Sequence, residues 1–329
     1  MSYQTGTAIH LDDLLAQLST FAQANGWTQN KVVAGSGDGA SSELYLSKGV
    51  SFFAFEAILT TGTNIYHGVS QAIDHPFLRL YGATGFDGGA LVNLQPGTHT
   101  PSVETNWLLP NMTAYHFFTD ATKTYLHIVV ETTANEFRHF GFGVLDKIGA
   151  YDGGEYTYGT RWSQAFSFID VPGAGQGQHG NPWTNGGPAN ANPFIRANVD
   201  GSDWKIAQGG TATTNWFPPL AHNAQGEPLG NFFGFSTSTF PIASPNRFNS
   251  TVVLYPLPCH ISRSPTQRAP IGKPFDVRAC NIQNVVPSSL LTFGGDDWLL
   301  FPNVEKKDPL LRDDLPNSAW MGFAYLKVP

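Results

Sequence analysis

The sequence predicts a mainly β protein with a minor helical part: an antiparallel β-sandwich or jelly-roll-like core with one N-terminal helix and long loops. Within Tyr115–Trp162, three successive runs rich in aromatic and β-branched residues are separated by short polar turns. The chain of 329 residues contains 24 Phe, 11 Tyr and 8 Trp beside 35 Gly and 23 Pro. Only 13% of its residues are charged, about half the usual share. Such a composition is typical of a β-rich protein with many turns.

The first predicted element is a helix near the N-terminus. Its apolar residues recur at helical spacing, at Leu11, Leu14, Leu15, Leu18, Phe21 and Ala22. Asp12 and Asp13 lie in the predicted first turn, and Gly26 is placed to end the helix. Because the apolar stripe is continuous, we expect this helix to pack on a sheet.

Strands follow the helix. The predicted strand regions before the three aromatic runs are Val32–Ser47, interrupted by a GSGDG turn, then Val50–Leu59, Ile65–Ile73 and Phe77–Tyr81. Residues Gly82–Glu104 are irregular, and we expect a surface loop there.

The three aromatic runs predict a β-meander. They are Tyr115–Thr119, Tyr125–Glu131 and Glu136–Gly143, separated by turns at Asp120–Lys123 and Thr132–Asn135. The residues that follow, Val171–Pro193, are too rich in Gly, Pro and Asn for regular structure.

We divide the chain into three parts. Residues 1–172 hold the helix and the meander core, 173–200 form a Gly/Pro/Asn-rich loop, and 201–329 form a β-rich C-terminal part that completes the same core. Two separate lobes are the alternative. The last strands, around Trp298–Phe301 and Trp320–Lys327, are predicted to form a closing hairpin.

Charge and composition exclude several classes of function. A formal net charge of −7 without a run of Lys or Arg argues against nucleic-acid binding. No segment approaches the ~20 apolar residues that span a bilayer, and the N-terminus lacks the pattern of a signal peptide, so we expect synthesis in a cytoplasm and no membrane insertion. Cys259 and Cys280 lack the spacing of a zinc site, and we expect two buried thiols.

The low charge favours a surface partly covered by neighbouring subunits.

Three histidines of the meander form the candidate metal site. If Ala121 and Thr122 are the centre of the first turn, His116 lies opposite His127, and a three-residue second loop places His139 opposite His127 as well. Three imidazoles can hold a transition metal. The outer two of a flat row are nearly twice the ~4.8 Å strand spacing apart, however, so the favoured interpretation is a polar row without a metal or other cofactor.

The sequence offers little support for a catalytic site. Asp152 and Glu155 could form a carboxylate pair for glycan hydrolysis, but the Asp-Gly-Gly sequence is typical of a tight turn. The motifs of serine hydrolases, zinc proteases and phosphate-binding loops are missing, so the sequence predicts a protein that is not an enzyme.

Three tryptophans are candidates for binding a sugar or a partner protein. Trp183, Trp204 and Trp216 lie in or after the Gly-rich region, where an exposed indole ring could stack on a ligand. Anchoring of long loops to the core is the commoner role of such residues and the favoured interpretation.

Three segments carry a resemblance to a known class of proteins. YQTGTAIHLDDLLAQLSTFAQANGWT at the N-terminus, FGFGVLDKIGAYDGGEYTYGTRW in the middle and GGDDWLLFPNVEKK near the end resemble segments of structural proteins of tailed bacteriophages. The resemblance implies a tail, baseplate or tail-tip component of the virion, assembled in the bacterial host cytoplasm, and supplies no catalytic residues. A position at the head or neck stays open.

The sequence therefore predicts a non-enzymatic virion structural protein. We expect it to contact copies of itself and other virion proteins through Gly82–Glu104 and Val171–Pro193. The alternative is a carbohydrate-binding protein that recognises a host-surface glycan. An enzyme that degrades glycans is the third class.

Overall fold

The computed structural model describes residues 2–35, 42–58, 62–66, 69–73, 76–99, 103–106, 108, 111–162, 179–180, 195–201, 204–208, 251–264, 267–282, 285–302 and 321–328. These residues form antiparallel sheets in a sandwich-like arrangement, with one α-helix near the N-terminus. The predicted mainly β, antiparallel fold class is confirmed.

The elements are numbered in chain order. The first strands are β1 (Tyr3–Ala8), β2 (Thr28–Val33), β3 (Ser42–Lys48), β4 (Ser51–Ile58), β5 (Gly62–Tyr66), β6 (Val69–Ile73), β7 (Phe77–Ala83), β8 (Val103–Asn106) and β9 (Met112–Phe118). The middle of the chain forms β10 (Tyr125–Thr133), β11 (Glu136–Val144), β12 (Asp146–Lys147), β13 (Glu155–Gly159), β14 (Arg161–Trp162), β15 (His179–Gly180), β16 (Ile195–Asn198) and β17 (Trp204–Gln208). The last strands are β18 (Cys259–Ser264), β19 (Gln267–Lys273), β20 (Val277–Asn281), β21 (Ser289–Phe293), β22 (Asp296–Pro302) and β23 (Met321–Leu326). The helices are α1 (Leu11–Ala24) and a 3-10 helix at Val92–Leu94.

Among the described residues, four sheets contain three or more strands. The central sheet has seven strands in the order β1-β9-β10-β11-β13-β16-β17, and the N-terminal sheet has five in the order β2-β3-β4-β7-β8. The C-terminal sheet has four in the order β20-β23-β22-β21, and the short sheet has three in the order β12-β19-β18. The pairs β5–β6 and β14–β15 form two-stranded sheets.

The central sheet is the middle layer of the sandwich. Side chains alternate across a strand, so Phe117 and Ile128 face one side while Phe118 and Val129 face the other. The first pair packs in one core cluster with α1 and strands β3, β4 and β7. The second pair packs in another cluster with residues of the short and C-terminal sheets. Both faces of the central sheet are therefore buried, which explains its long apolar runs.

Helix α1 forms where its apolar periodicity predicts it. Leu14 and Leu18 are fully buried, so the continuous stripe faces the core. The helix ends at Ala24, because Asn25 donates its side-chain amide to the Phe21 carbonyl at 2.8 Å and Gly26 adopts a φ of +81°. The predicted helix and its end at Gly26 are confirmed.

The predicted meander is confirmed as the run β9, β10 and β11, which pair as antiparallel neighbours. The C-terminal part of the chain packs against it, since Phe301 and Tyr325 belong to the same core cluster as Phe118 and Val129. Cys259 and Cys280 are free and buried, as predicted. In the described part of the chain, helices of the length and apolar character needed to cross a membrane do not occur.

Candidate functional site

The loop that connects β7 to β8 is the best-defined candidate contact surface, and its residues Thr84–His99 are called the 84–99 loop below. Its organising residue is Gln95, which is buried. The Gln95 side-chain amide donates to the main-chain carbonyls of Asp87 at 3.0 Å, Ala90 at 3.1 Å and Leu91 at 3.3 Å. Its carbonyl oxygen accepts the N–H of Asp87 at 2.9 Å. One side chain thus supplies partners that the irregular backbone lacks, and it holds the loop in one conformation.

The base of the 84–99 loop is closed by main-chain hydrogen bonds. Thr84 N–H donates to the Pro96 carbonyl at 2.8 Å, and His99 N–H donates to the Gly82 carbonyl at 3.3 Å. The Trp204 indole N–H donates to the Gly97 carbonyl at 2.9 Å. Hydrogen bonds therefore fix the loop at its base, in addition to those that Gln95 makes inside it.

The tip of the loop is apolar. Val92 is buried on the outer face of the N-terminal sheet, in a small cluster with Tyr45, Ala54 and Tyr81. Leu91 and Leu94 on either side of it are 62% and 64% exposed. Two large aliphatic side chains on an ordered loop form an apolar surface feature of the kind that marks protein contacts.

Trp204, a predicted ligand-stacking residue, anchors this loop. Its ring packs on Gly82, where an added Cβ would lie only 2.0 Å from the indole. The ring also contacts the imidazole of His99, with centroids 4.8 Å apart. His99 in turn lies 3.0 Å from the Thr157 hydroxyl through Nε2. These contacts agree with the anchoring interpretation for Trp204. Trp183 and Trp216 lie outside the described residues.

The predicted register of the three meander histidines is wrong by two residues. His127 lies opposite Phe118 on one side and Gly141 on the other, whereas His116 and His139 lie opposite Val129. The first connection is longer than the expected two-residue turn, since the last pair of β9 and β10 is Phe118 with His127. Within this connection the Asp120 carboxylate accepts hydrogen bonds from Thr122, as in an Asx turn. The three imidazoles share one face of the central sheet but do not form a row.

His127 is held in one tautomer by its two partners. The Phe275 carbonyl oxygen lies 2.8 Å from Nε2, and a carbonyl only accepts, so Nε2 carries the proton. Nδ1 is therefore the acceptor for the Tyr158 hydroxyl at 2.8 Å. Both ring nitrogens of His127 are thus engaged in hydrogen bonds.

His139 and His116 are paired with tyrosines in the same way. His139 donates from Nε2 to the Pro302 carbonyl at 2.9 Å and accepts the Tyr325 hydroxyl at Nδ1, also at 2.9 Å. Nδ1 of His116 lies 2.9 Å from the Tyr3 hydroxyl. Tyr3 and Tyr158 lie on β1 and β13 of the central sheet itself, whereas Tyr325 and the Pro302 carbonyl belong to the C-terminal sheet. His139 therefore connects the central sheet to the C-terminal sheet.

Burial governs the charge of these rings. Burial lowers the pKa of His116 to about 4. Burial also lowers the pKa of His127 to about 4, although the Phe275 carbonyl and the charge of Asp276 act in the opposite direction. The imidazoles of His116 and His127 are therefore neutral at pH 7 and serve as hydrogen-bonding groups. Across the described ranges, no three His, Cys, Asp or Glu side chains are grouped so that they could hold a metal.

Asp276 joins the meander to the loop before β20. Its Oδ2 accepts the Lys123 ammonium at 2.7 Å and the Tyr125 hydroxyl at 2.6 Å, and its backbone has a φ of +56°. Burial opposes the charge of Lys123, but the hydrogen bond and charge of Asp276, together with Asp120, raise the pKa of the ammonium. Burial and the neighbouring Asp276 raise the pKa of Tyr125. The contact closes the end of the sandwich near the meander's first turn.

Asp152 and Glu155 occupy different environments. The predicted turn is confirmed, because Gly153 and Gly154 have φ values of +86° and +106°. Asp152 is exposed, whereas Glu155 is buried and accepts the Asn198 amide at 3.1 Å. The Glu155 carboxylate also accepts the Ser51 hydroxyl at 3.3 Å. Glu155 thus ties β13 to β4 and β16.

The second predicted contact loop, Val171–Pro193, lies outside the described residues except for β15. Among the residues that sequence reasoning missed, Gln95 and Asp276 matter most. The aliphatic Leu91–Leu94 run, inside a Gly-rich loop, was the signal that could have identified the apolar tip. The role of Gln95 has no such signal, because it depends on which carbonyls the folded loop brings together.

Comparisons with known proteins leave the family open. No protein-family model matches this chain, and no curated protein matches it.

Proposed function

We propose that this chain is a non-catalytic structural component of a tailed-bacteriophage particle, in its tail or baseplate, which assembles in symmetric copies. The 84–99 loop is the proposed contact element, and copies of this chain and other virion proteins are its partners. The resemblance of the three sequence segments supports the assignment to a phage particle.

The observation that carries the proposal is the exposure of Leu91 and Leu94 on a loop held by Gln95. Exposed apolar side chains on a loop of fixed conformation bind a partner at a low entropic cost, because the loop is already ordered before contact. Catalytic loops instead present titratable or nucleophilic groups. The tip of this loop presents aliphatic side chains.

The interior polar groups also favour a structural role. The ring nitrogens of His127 and His139 form hydrogen bonds with tyrosine hydroxyls and main-chain carbonyls inside the fold. Glu155 is directed at Ser51 and Asn198. Polar groups used in this way connect layers of the fold and are withdrawn from solvent.

The loop is tested with the double variant Leu91→Asp/Leu94→Asp. We expect the purified variant to keep the thermal unfolding of the wild type, because both side chains are exposed, and to be incorporated into particles at least about tenfold less. Val50→Asp is the matched control, because Val50 is 80% exposed in the turn between β3 and β4. Incorporation of the double variant at the wild-type level would contradict the proposal that the 84–99 loop is a contact element.

The assignment to a phage particle is tested by immunogold electron microscopy of purified particles with antibodies against this chain. We expect label at the distal tail. Label at the head or neck would keep the structural role and move its position. Particles without label, whose protein profile also lacks the chain, would overturn the virion assignment. Glycan-array binding that is lost in Trp183→Ala would instead favour the carbohydrate-binding alternative.

A further inference from the structure

The outer strand of the C-terminal sheet, β21, differs from the other edge strands of the large sheets. An edge strand exposes unpaired main-chain groups, and proteins block unwanted pairing there with charged residues or bulges. Such features occur at the seven other edges, which are β1, β2, β8, β12, β17, β18 and β20. Strands β1, β2 and β18 contain register shifts, and the remaining four contain the charged residues Glu104, Asp146, Lys147, Lys205 and Arg278.

Strand β21 has neither feature. Its sequence SLLTF is uncharged, and it pairs with β22 without a register shift. Leu290 and Phe293 are 52% and 66% exposed, on opposite faces of the strand. Val286, just before the strand, is exposed as well. Regular backbone and exposed apolar side chains are the properties of a strand that pairs with another strand.

The turn of the β21–β22 hairpin indicates which main-chain groups are available. Gly294 and Gly295 both have positive φ, as a two-residue type I′ turn requires. In such a hairpin the closing pair, Phe293 and Asp296, exchanges both hydrogen bonds. The bonding then alternates, so the N–H and C=O groups of Leu290 and Thr292 point away from β22.

We propose that β21 is a self-association edge, where two copies of this chain pair antiparallel around a two-fold axis. Full overlap of the five residues puts Leu291 opposite its own copy and Leu290 opposite Thr292 of the second copy. The outward groups of Leu290 and Thr292 then bond each other reciprocally on both sides of the axis. The inference deepens the proposed function, on which it rests for its biological setting, by identifying one surface through which copies join.

Charge favours a second copy as the occupant. The hairpin's carboxylates, Asp296 and Asp297, lie at its turn end. Antiparallel pairing places that end beside the uncharged Val286–Ser289 end of the other copy, so the carboxylates of the two copies lie at opposite ends of the interface. The exposed Phe293 ring then lies next to Ser289 of the second copy and diagonal to its Leu291, which partly covers its apolar surface.

The first test is the mass of the purified chain by analytical ultracentrifugation. We expect a wild-type dimer, and we expect Leu290→Lys to raise the dimer dissociation constant at least about tenfold, because a lysine on an edge strand opposes strand addition. The exposed control Val50→Lys should leave the dimer unchanged. A wild-type chain that stays monomeric, or a Leu290→Lys dimer as stable as the wild type, would overturn the proposal.

The second test is a positive one that does not depend on destabilising the dimer. Leu291 lies in a non-hydrogen-bonded pair with its own copy, where the side chains approach most closely, so Leu291→Cys should form an intermolecular disulfide under mild oxidation. Phe293→Cys is the control on the same strand face, since its two copies lie about 13 Å apart along the strands. The native Cys259 and Cys280 are buried. Equal cross-linking of the two variants would contradict the pairing.

The two proposals can fail separately. Particle incorporation of the loop variant tests the proposed function, whereas mass and cross-linking of the purified chain test β21.

Discussion

His127 and Tyr158 are joined by a 2.8 Å hydrogen bond that crosses an intervening strand. His127 belongs to β10 and Tyr158 to β13, and β11 lies between them with Gly141 opposite both residues. A Cβ on Gly141 would lie 2.7 Å from the Tyr158 ring and 2.5 Å from the Leu126 carbonyl oxygen. The glycine therefore leaves the space through which the tyrosine reaches the imidazole.

Gly141→Ala should destabilise the fold by about 1–3 kcal/mol, because the added methyl group overpacks a fully buried site against a backbone atom. Chemical denaturation measures the loss as a lower unfolding midpoint. Gly89→Ala is the control, since its Cβ would meet nothing closer than 3.5 Å. An equal effect of the two substitutions would contradict this account of Gly141.

The free energy of unfolding should fall as the pH is lowered through the range between the unfolded and the folded pKa values of His116 and His127. Their pKa is lowered by burial to about 4 in the folded chain, against an ordinary value of about 6.5. The unfolded chain therefore binds more protons between these values, so stability is full above about pH 6.5, declines as the pH falls and levels off below about pH 4. At pH 5 each of the two histidines should lower the free energy of unfolding by about 2 kcal/mol relative to its value at neutral pH.

The measurement is the unfolding free energy of the wild type and of His127→Gln from pH 7.5 to 5. The variant loses stability at neutral pH, but its decline on acidification should be shallower by about 2 kcal/mol, because one titrating group is gone. His10→Gln, at an exposed position before α1, is the control. Parallel pH profiles for the wild type and His127→Gln would show that His127 does not couple protonation to folding.

Asp276→Ala should destabilise the chain by about 2–4 kcal/mol. The substitution leaves the Tyr125 hydroxyl and the Lys123 ammonium without the carboxylate that they share. It also puts alanine, which adopts the left-handed region less readily than aspartate, at a φ of +56°. Asp276→Asn keeps an acceptor and tolerates that backbone conformation, so its loss should be smaller. Thermal unfolding of the two variants checks the order, and an alanine variant as stable as the asparagine variant would contradict it.

The elements that could be predicted from the sequence are those encoded locally. The periodic leucines and Gly26 define α1, and runs rich in aromatic and β-branched residues between short polar turns define the meander strands. The register could not be predicted, because it depends on the length of the connection. The last pair of β9 and β10 is Phe118 with His127, and the Asp120–Thr122 hydrogen bond lies inside a connection longer than the two-residue turn expected.

The candidate contact loop was predicted only in part. The irregular composition of Gly82–Glu104 indicates a surface loop, but the contacts that order it are not local. Trp204 reaches Gly97 and Gly82 from a strand more than a hundred positions away in the chain. The sequence offered ligand stacking and core anchoring for Trp204, and the packing of its ring on Gly82 agrees with anchoring.

Gln95 should control the order of the 84–99 loop without controlling global stability. Gln95→Ala removes the hydrogen-bond partners of three carbonyls and one N–H in a loop at the surface, so these groups can bond to water and the loop opens more readily. Hydrogen exchange of the loop amides should rise, and the thermal midpoint should change little. Incorporation into particles should fall, because Leu91 and Leu94 are no longer held in one arrangement.

Gln95→Glu separates the hydrogen-bonding role of this residue from its size. The substitution keeps the shape but replaces the amide donor by a carboxylate oxygen, which faces the carbonyls of Asp87, Ala90 and Leu91. Because acceptors repel each other, the glutamate variant should expose the loop to exchange at least as much as the alanine variant does. If the glutamate variant protects the loop amides as well as glutamine does, packing and not donation by the amide orders the loop.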